Sequence, residues 1–492
     1  MRDGRICIII DGILFVGYGN VTFNTAAFLC FFFPAVFFLS RVFRGKKSST
    51  VFLGVVSLVF YAFGGVASVP VLLFAFLWNY VFGRLLGKGT AGRKGLFVLG
   101  ILGDLLLLGV FKYLGFLLSG INGLFSLSVS LPEFVLPLGI SFYTFHGISY
   151  LTDVYRDREL EEKDASSLFL YLAFFPRLLA GPIVKYKDAR SALQERSIDP
   201  ENTAAGLRRF LVGMSKKLLL SESCAAVVNG LWPLSAEGLG TGFAWLAAIG
   251  YCLQLYFDFS GYSDMAIGLG RMFGFSLPEN FNYPYAARSL SDFWRRWHMT
   301  LNRWFVDYLY IPLGGSRRSK GRNVLNKMIV FLCTGIWHGA GWTFLLWGLW
   351  HGAFVSLESS CKGFFSRVER RLPGRVLLRV YTLLVVILGF VMFRSASVRE
   401  GFAVIGQMFS LRRAAGPVLV SAQALLTPAR LGLMGLSAVL SLPVIPAIRA
   451  KLFTEGSRVQ VWIESALCLM LLLLCIGAMA GGSFSPFIYQ QF

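Results

Sequence analysis

The chain has 492 residues, of which 55% are hydrophobic and only 15% charged, against roughly a quarter charged in soluble domains; a soluble globular protein is excluded. The formal net charge of +21 does not indicate nucleic acid, because Lys and Arg fall in short clusters between apolar runs. That is the distribution of a multi-pass membrane protein with basic cytoplasmic loops and an attraction for anionic lipid head groups.

The 8 cysteines are scattered without a CxxC pair, and HExxH is absent, so neither a disulfide framework nor a bound metal is expected. Residues 1–20 carry Arg2, Arg5 and Asp11 around a short apolar stretch with no small-residue cleavage site. They read as an N-terminal extension rather than a cleaved signal, ahead of a single membrane domain over 21–492. Val21–Ser40 is the first span, followed by a basic loop with Arg41, Arg44, Lys46 and Lys47. Val51–Gly65 and Val69–Leu86 form a hairpin returning to a second basic loop at Lys88, Arg93 and Lys94, which places both loops on the cytoplasmic side.

Leu96–Leu118 contains Asp104 and Lys112, about two turns apart on one helix face. A local partner for Asp104 and an interface reached by a snorkelling Lys112 are favoured over a role in contacting substrate. His146 lies among aromatics in Leu131–Tyr155, where a lone histidine is ordinarily a hydrogen-bonded structural residue. Leu168–Ile183 is broken by Pro176 and Pro182 with Arg177 between them, which is tolerated at membrane depth only inside protein or along a cavity. Lys185 to Lys217 reads as a pair of cytoplasmic surface helices.

Leu218–Leu234 and Thr241–Phe257 resume the membrane pattern, and Asp258 and Asp264 then punctuate an apolar run. These carboxylates suit structural hydrogen bonding, a cation or substrate contact, the first being favoured because no further hard-cation ligands lie nearby. After the turn-rich Pro278–Tyr285, more spans follow at Leu377–Phe393, Pro417–Leu426, Leu431–Ile445 and Val461–Ala480. The sum is an all-α polytopic membrane protein of roughly 11 to 13 membrane segments, some interfacial or re-entrant.

Three of the 4 histidines lie in one segment, Ser291 to Gly352. Trp294, Trp297, Leu301, Trp304 and Tyr308 recur at helical spacing, so one helix with an apolar stripe is expected. Arg295 and Arg296 fall off the stripe, as suits the membrane interface, with His298 at the stripe's edge. Met328 to Val355 is almost free of charge yet contains His338 and His351. An ionisable ring in such a run faces a polar cavity or a partner. Gly335 and Gly341 clear space near His338 for another chain or a substrate, and Trp337 and Trp342 wall the recess. His351, thirteen residues on, lies on another face and reads as structural.

DFWRRWHMTL, followed about forty residues later by GIWHGAGWTF, resembles the membrane-bound O-acyltransferase (MBOAT) family. LPLGISFYTF, SYLTDVYR, FFPRLLAGPI, DFSGYSDMAIGLG, NFNYPY, DYLYIPLGG and VMFRSAS agree with it in order. The resemblance implies a helical core around a funnel open to both sides of the membrane. It implies that His338 is the catalytic histidine and His298 the second histidine of the signature. The activity implied is acyl transfer from a cytoplasmic thioester, acetyl-CoA or an acyl carrier protein, with no bound cofactor.

Neutral imidazole suits proton removal from a hydroxyl, with His298 orienting substrate or polarising the acyl carbonyl. Arg295 and Arg296 would hold an anionic donor, and Trp337 and Asp258 would contact substrate. Within the family the chain is most similar to the branch that O-acetylates alginate. This implies a bacterial inner-membrane location and an extracytoplasmic SGNH-hydrolase-like acetyltransferase as partner, with the polysaccharide reached through it. D-alanyl transfer, an acyl-group transporter without chemistry, and a non-catalytic scaffold are the alternatives. His146, Lys185 and Asn302 depart from the residues usual at their positions in the family.

Overall fold

The computed structural model describes residues 23–43, 45–89, 92–127, 129–130, 134–414, 416–453, 457–481 and 487–488, together with two short backbone strands near the N-terminus. These strands, β1 (Ile8–Ile10) and β2 (Ile13–Phe15), pair antiparallel. The rest of the N-terminal extension, and most of the C-terminal tail, lie outside the described residues. Every other described element is helical, as the apolar runs require, because in a bilayer the backbone must satisfy its own hydrogen bonds.

Helix α1 (Phe33–Ser40) continues a π-helical turn at Phe28–Phe32. Helices α2 (Lys46–Phe63) and α3 (Val69–Gly87) form the expected hairpin. Helices α4 (Arg93–Leu108) and α5 (Leu114–Phe125) make one long span interrupted by a π-helical turn at Gly109–Tyr113. Helix α6 (Ile140–Arg156) is buried along nearly its whole length and packs on α3 and α4.

The break foreseen between the two prolines is present. Helix α7 (Ala165–Ala173) ends, and the single turn α8 (Phe175–Leu178) follows with Pro176 in its first turn. Protein encloses this break: Arg177 is buried, and its guanidinium donates to the Tyr171 carbonyl and, at 3.3 Å, to His146 Nε2.

Helices α9 (Tyr186–Gln194) and α10 (Pro200–Ser215) are not a surface pair, since α10 packs along α12 (Gly240–Met272), with α11 (Glu222–Leu231) on the same helix. The approach is close: a Cβ on Gly213 would stand 2.5 Å from the Gly261 carbonyl oxygen, which only glycine allows. The site segment follows as α13 (Leu290–Trp294), α14 (Met299–Phe305), α15 (Lys320–His338) and α16 (Trp342–Ser360). The remainder is α17 (Lys362–Glu369), α18 (Leu372–Arg394), α19 (Val398–Phe409), α20 (Gly416–Leu425), α21 (Pro428–Leu440), α22 (Val444–Leu452) and α23 (Arg458–Ala480).

Among the described residues, 5 stretches are each long and apolar enough to cross a bilayer: Lys46–Phe63, Val66–Gly87, Arg93–Phe125, Leu372–Arg394 and Arg458–Ala480. Val418–Leu425 with Pro428–Leu440, bent by 70°, makes a sixth if taken together. The other apolar runs fold as shorter, broken or polar-punctuated helices inside the protein, such as α6, α7–α8 and α12. The difference from 11 to 13 is therefore one of surroundings. Runs buried against protein need neither the length nor the uniform apolarity that lipid demands. Helix α23 is the opposite extreme, with 6% of its most apolar window buried, and it presents its side chains outward.

Candidate active site

The central segment is not one helix. Helix α13 is capped by Ser289, whose hydroxyl accepts the Asp292 N–H at 3.0 Å. Glu358 of α16 accepts the N–H groups of Leu290 (2.7 Å) and Ser291 (3.0 Å), which ties α13 to the following hairpin. The chain then turns at His298, whose φ of +44° lies in the left-handed region, uncommon for a non-glycine residue and frequent where local strain serves a function.

Asn280 holds this turn. Its carbonyl accepts Met299 N–H at 2.9 Å, and its side-chain oxygen accepts Thr300 N–H (3.2 Å) and Thr300 Oγ1–H (2.9 Å) while standing 3.1 Å from His298 Nδ1. A backbone N–H can only donate, so the shared atom is an acceptor, and His298 Nδ1 must carry the proton. The ring's lone pair is then on Nε2. Nothing in the spacing of the tryptophans foretold this, because their helical period runs across the break.

The apolar stripe itself is real, but it faces protein. Trp294, Trp297, Leu301 and Trp304 are buried, and His298 is 1% exposed, so the interfacial placement of this face does not hold. Off the stripe, Arg295 is exposed and Arg296 partly exposed, and both pair with Asp292, at 3.5 and 3.1 Å.

Helices α15 and α16 form a tight hairpin. A Cβ on Gly335 would collide with the Phe344 carbonyl. At Gly335 it is therefore the neighbouring helix that makes the close approach, the first of the two alternatives the glycine left open. His338 is the last residue of α15 and 3% exposed. The Trp337 indole lies between the two histidines, with ring centroids 5.8 Å from His298 and 4.8 Å from His338.

His338 also meets Trp347 (5.0 Å) and Phe393 of α18 (5.1 Å), and His298 meets Phe259 of α12 edge-on at 4.6 Å. Trp342, expected as the second wall, is 67% exposed; Trp347, one turn further along, occupies that place. Phe142 and Phe145 of α6 complete the enclosure of Trp337 at 5.7 and 5.5 Å. A recess beside His298, lined by Trp294, Leu301, Asn302 and Thr334 among others, holds about 20 Å³, room for a single water. This recess is too small for an acyl donor.

Lys112 does not snorkel. Its ammonium turns inward and donates to the Trp337 carbonyl at 2.5 Å and to Ser141 Oγ at 3.3 Å. Asp104 does find its local partner, Asn79 Nδ2 at 2.8 Å. Asp258 is ion-paired and hydrogen-bonded: Oδ1 accepts from Lys217 Nζ at 2.6 Å and Oδ2 accepts Ile488 N–H at 2.8 Å. Asp264 pairs with Arg209 and Lys216, both at 2.7 Å. Both α12 carboxylates thus take the structural reading. His146 accepts from Arg177, and His351 is fully buried between Trp294 and Trp347 at 5.2 and 5.0 Å, so each is a packed structural residue as read.

The fold thus gathers His298, at the turn before α14, and His338, at the end of α15, about one indole. The chain belongs to the membrane-bound O-acyltransferase family, whose model matches residues 110–398 and so spans both histidines; it is an acyltransferase and a multi-pass membrane protein. It is 35% identical over 493 residues to the probable alginate O-acetylase AlgI of Pseudomonas putida, with 96% of this chain and 100% of that protein aligned. It is 34% identical to the peptidoglycan O-acetyltransferase of Helicobacter pylori over 79% of this chain and 80% of that one. The teichoic acid D-alanyltransferase of Bacillus subtilis is more distant, 28% identical over 51% of this chain and 65% of its own.

Proposed function

We propose that the protein moves an acetyl group from a cytoplasmic thioester, acetyl-CoA or an acyl carrier protein, toward an extracytoplasmic polysaccharide of the kind its O-acetylating relatives are named for. The inner membrane is its location. His338 is the general base: it takes the proton of a hydroxyl, on the acceptor or on an intermediate carrier, as that oxygen attacks the thioester carbonyl carbon. The C–S bond breaks, and the thiolate leaves with the proton. A positioned base of this kind contributes about 10²–10⁴-fold. His298, with its proton fixed on Nδ1 by Asn280, orients the acyl group or the hydroxyl. Trp337 separates the two rings and packs against the substrate. Arg295 and Arg296, exposed beside Asp292, meet the anionic part of the donor.

The observation that carries this reading is the placing of His298 and His338 on one indole, 5.8 and 4.8 Å from its centre. Final transfer to the polymer is assigned to an SGNH-hydrolase-like partner outside the membrane. Polymer acetylation in cells is the test. His338→Ala should abolish it while the protein remains inserted and folded; full acetylation by that variant would leave the transporter and scaffold readings. D-alanyl in place of acetyl on the product would move the protein to the D-alanyl transfer branch.

A further inference from the structure

Every α-helix leaves its last four carbonyls without intrahelical donors, and α15 ends at the residue that matters most. Two of those carbonyls are met from outside by neighbouring residues of a single π-helical turn. Tyr113 Oη–H donates to the Ile336 carbonyl at 2.8 Å, and Lys112 Nζ donates to the Trp337 carbonyl at 2.5 Å. The turn, Gly109–Tyr113, interrupts an otherwise α-helical span, and such single π turns concentrate at functional sites. Ser141, near the start of α6, steadies the ammonium from the other side at 3.3 Å.

A lysine in an apolar span could reach water by snorkelling at little cost. This one instead places its charge at the C-terminal end of α15, where a cation complements the helix dipole. Lys112 also lies 5.8 Å from the centre of the Trp337 ring, so it touches both the backbone and the indole that separate the histidines.

We infer that Lys112 is a positioning residue for acyl transfer: with Tyr113 it clamps the end of α15 and sets where the His338 imidazole stands relative to Trp337 and His298. The inference rests on His338 being the base of the proposed reaction.

Full-length protein in proteoliposomes, assayed for hydroxyl-dependent consumption of a labelled acetyl thioester, tests it. Lys112→Met keeps length and apolarity but removes the donor; it should lower kcat about 10- to 100-fold, as a misplaced catalytic group does, with the KM for the thioester unchanged. Lys112→Arg, which keeps charge and donors, should recover most of the rate. Wild-type kcat in Lys112→Met overturns the inference. So does a loss shared equally by the Met and Arg variants and accounted for by their folded fraction. Should Lys112→Met fail to insert, Tyr113→Phe decides: it removes one hydroxyl from the same clamp, and the same kcat-only loss is expected, while unchanged kinetics overturn the clamp. His338→Ala run alongside separates the two levels. If that variant is as active as wild type, the base assignment itself is wrong; if it is inactive while the Lys112 variants behave as wild type, only the clamp fails.

Discussion

The interior buries ionisable side chains in two different ways, a few residues apart on α12. Around Asp258 and Asp264 each carboxylate has a cation: Asp258 has Lys217, which also meets Glu222 at 2.7 Å, and Asp264 has Arg209 and Lys216. Around the histidines no carboxylate is among the named neighbours: they are the rings of Phe259, Trp337, Trp347 and Phe393, with Asn280 on His298 Nδ1 and the Lys112 ammonium held by the Trp337 carbonyl. A carboxylate or ammonium taken out of water must be paired, or it costs several kcal/mol. An imidazole can be buried neutral and still accept a proton. The paired cluster therefore ties α10, α11 and α12 together, and the ring-enclosed pair is where the proposed proton transfer would fall.

The sharpest way to break this contrast is to remove one partner from the paired cluster. Lys217→Ala leaves Asp258 and Glu222 without their shared cation in a site where Lys217 and Asp258 side chains are 2% and 1% exposed. A loss of about 3–5 kcal/mol of stability is expected, read from unfolding in detergent. A near-neutral result would mean that Asp258 is neutral there and the cluster is not ionic. Asn280→Ala makes the opposite cut, at the histidines. Three donors lose their acceptor, so about 1–3 kcal/mol is expected, but the distinguishing effect is on activity. With Nδ1 released, the His298 proton is free to move to Nε2, and turnover should fall further than the loss of folded protein explains. Parallel losses of folding and turnover would make Asn280 a purely structural residue.

Much of this architecture is legible along the chain. The α2–α3 hairpin, the broken run around Pro176 and Pro182, and the apolar stripe from Trp294 to Trp304 follow from spacing and composition, but the burial of that stripe against protein and its break at His298 do not. What stayed hidden are the relations between elements. Periodicity placed Lys112 on a face of its own helix but could not show that a π turn aims it at the end of a helix more than two hundred residues later. The left-handed turn at His298 is dictated by Asn280, an asparagine in a turn-rich loop with nothing local to mark it. Gly335 could admit either a neighbouring segment or a substrate, because glycine records a close approach without naming what approaches. Trp342 and Trp347 are equivalent by composition, and only the packing of α18 through Phe393 chooses between them.

The smallest effect expected comes from a third kind of charge, half in water. Asp307 lies in the π-helical turn Val306–Tyr310, outside the membrane-crossing helices, with Lys185 Nζ at 2.6 Å and Lys187 Nζ at 3.6 Å. Burial acts to raise its carboxyl, but the Lys185 hydrogen bond and the two lysine charges outweigh it and hold the group below the ordinary carboxylate range. A group depressed on folding adds stability above its unfolded value, near 3.9, and loses it as pH falls through the folded value. With the carboxylate side chain 24% exposed, solvent screens the pair, and Asp307→Asn should cost no more than about 1 kcal/mol at neutral pH. The gap between wild type and variant should then close below about pH 4 and shrink in high salt. A gap that persists in acid, or one as large as that of Lys217→Ala, would show that the Lys185–Asp307 pair is buried from solvent and belongs with the α12 cluster.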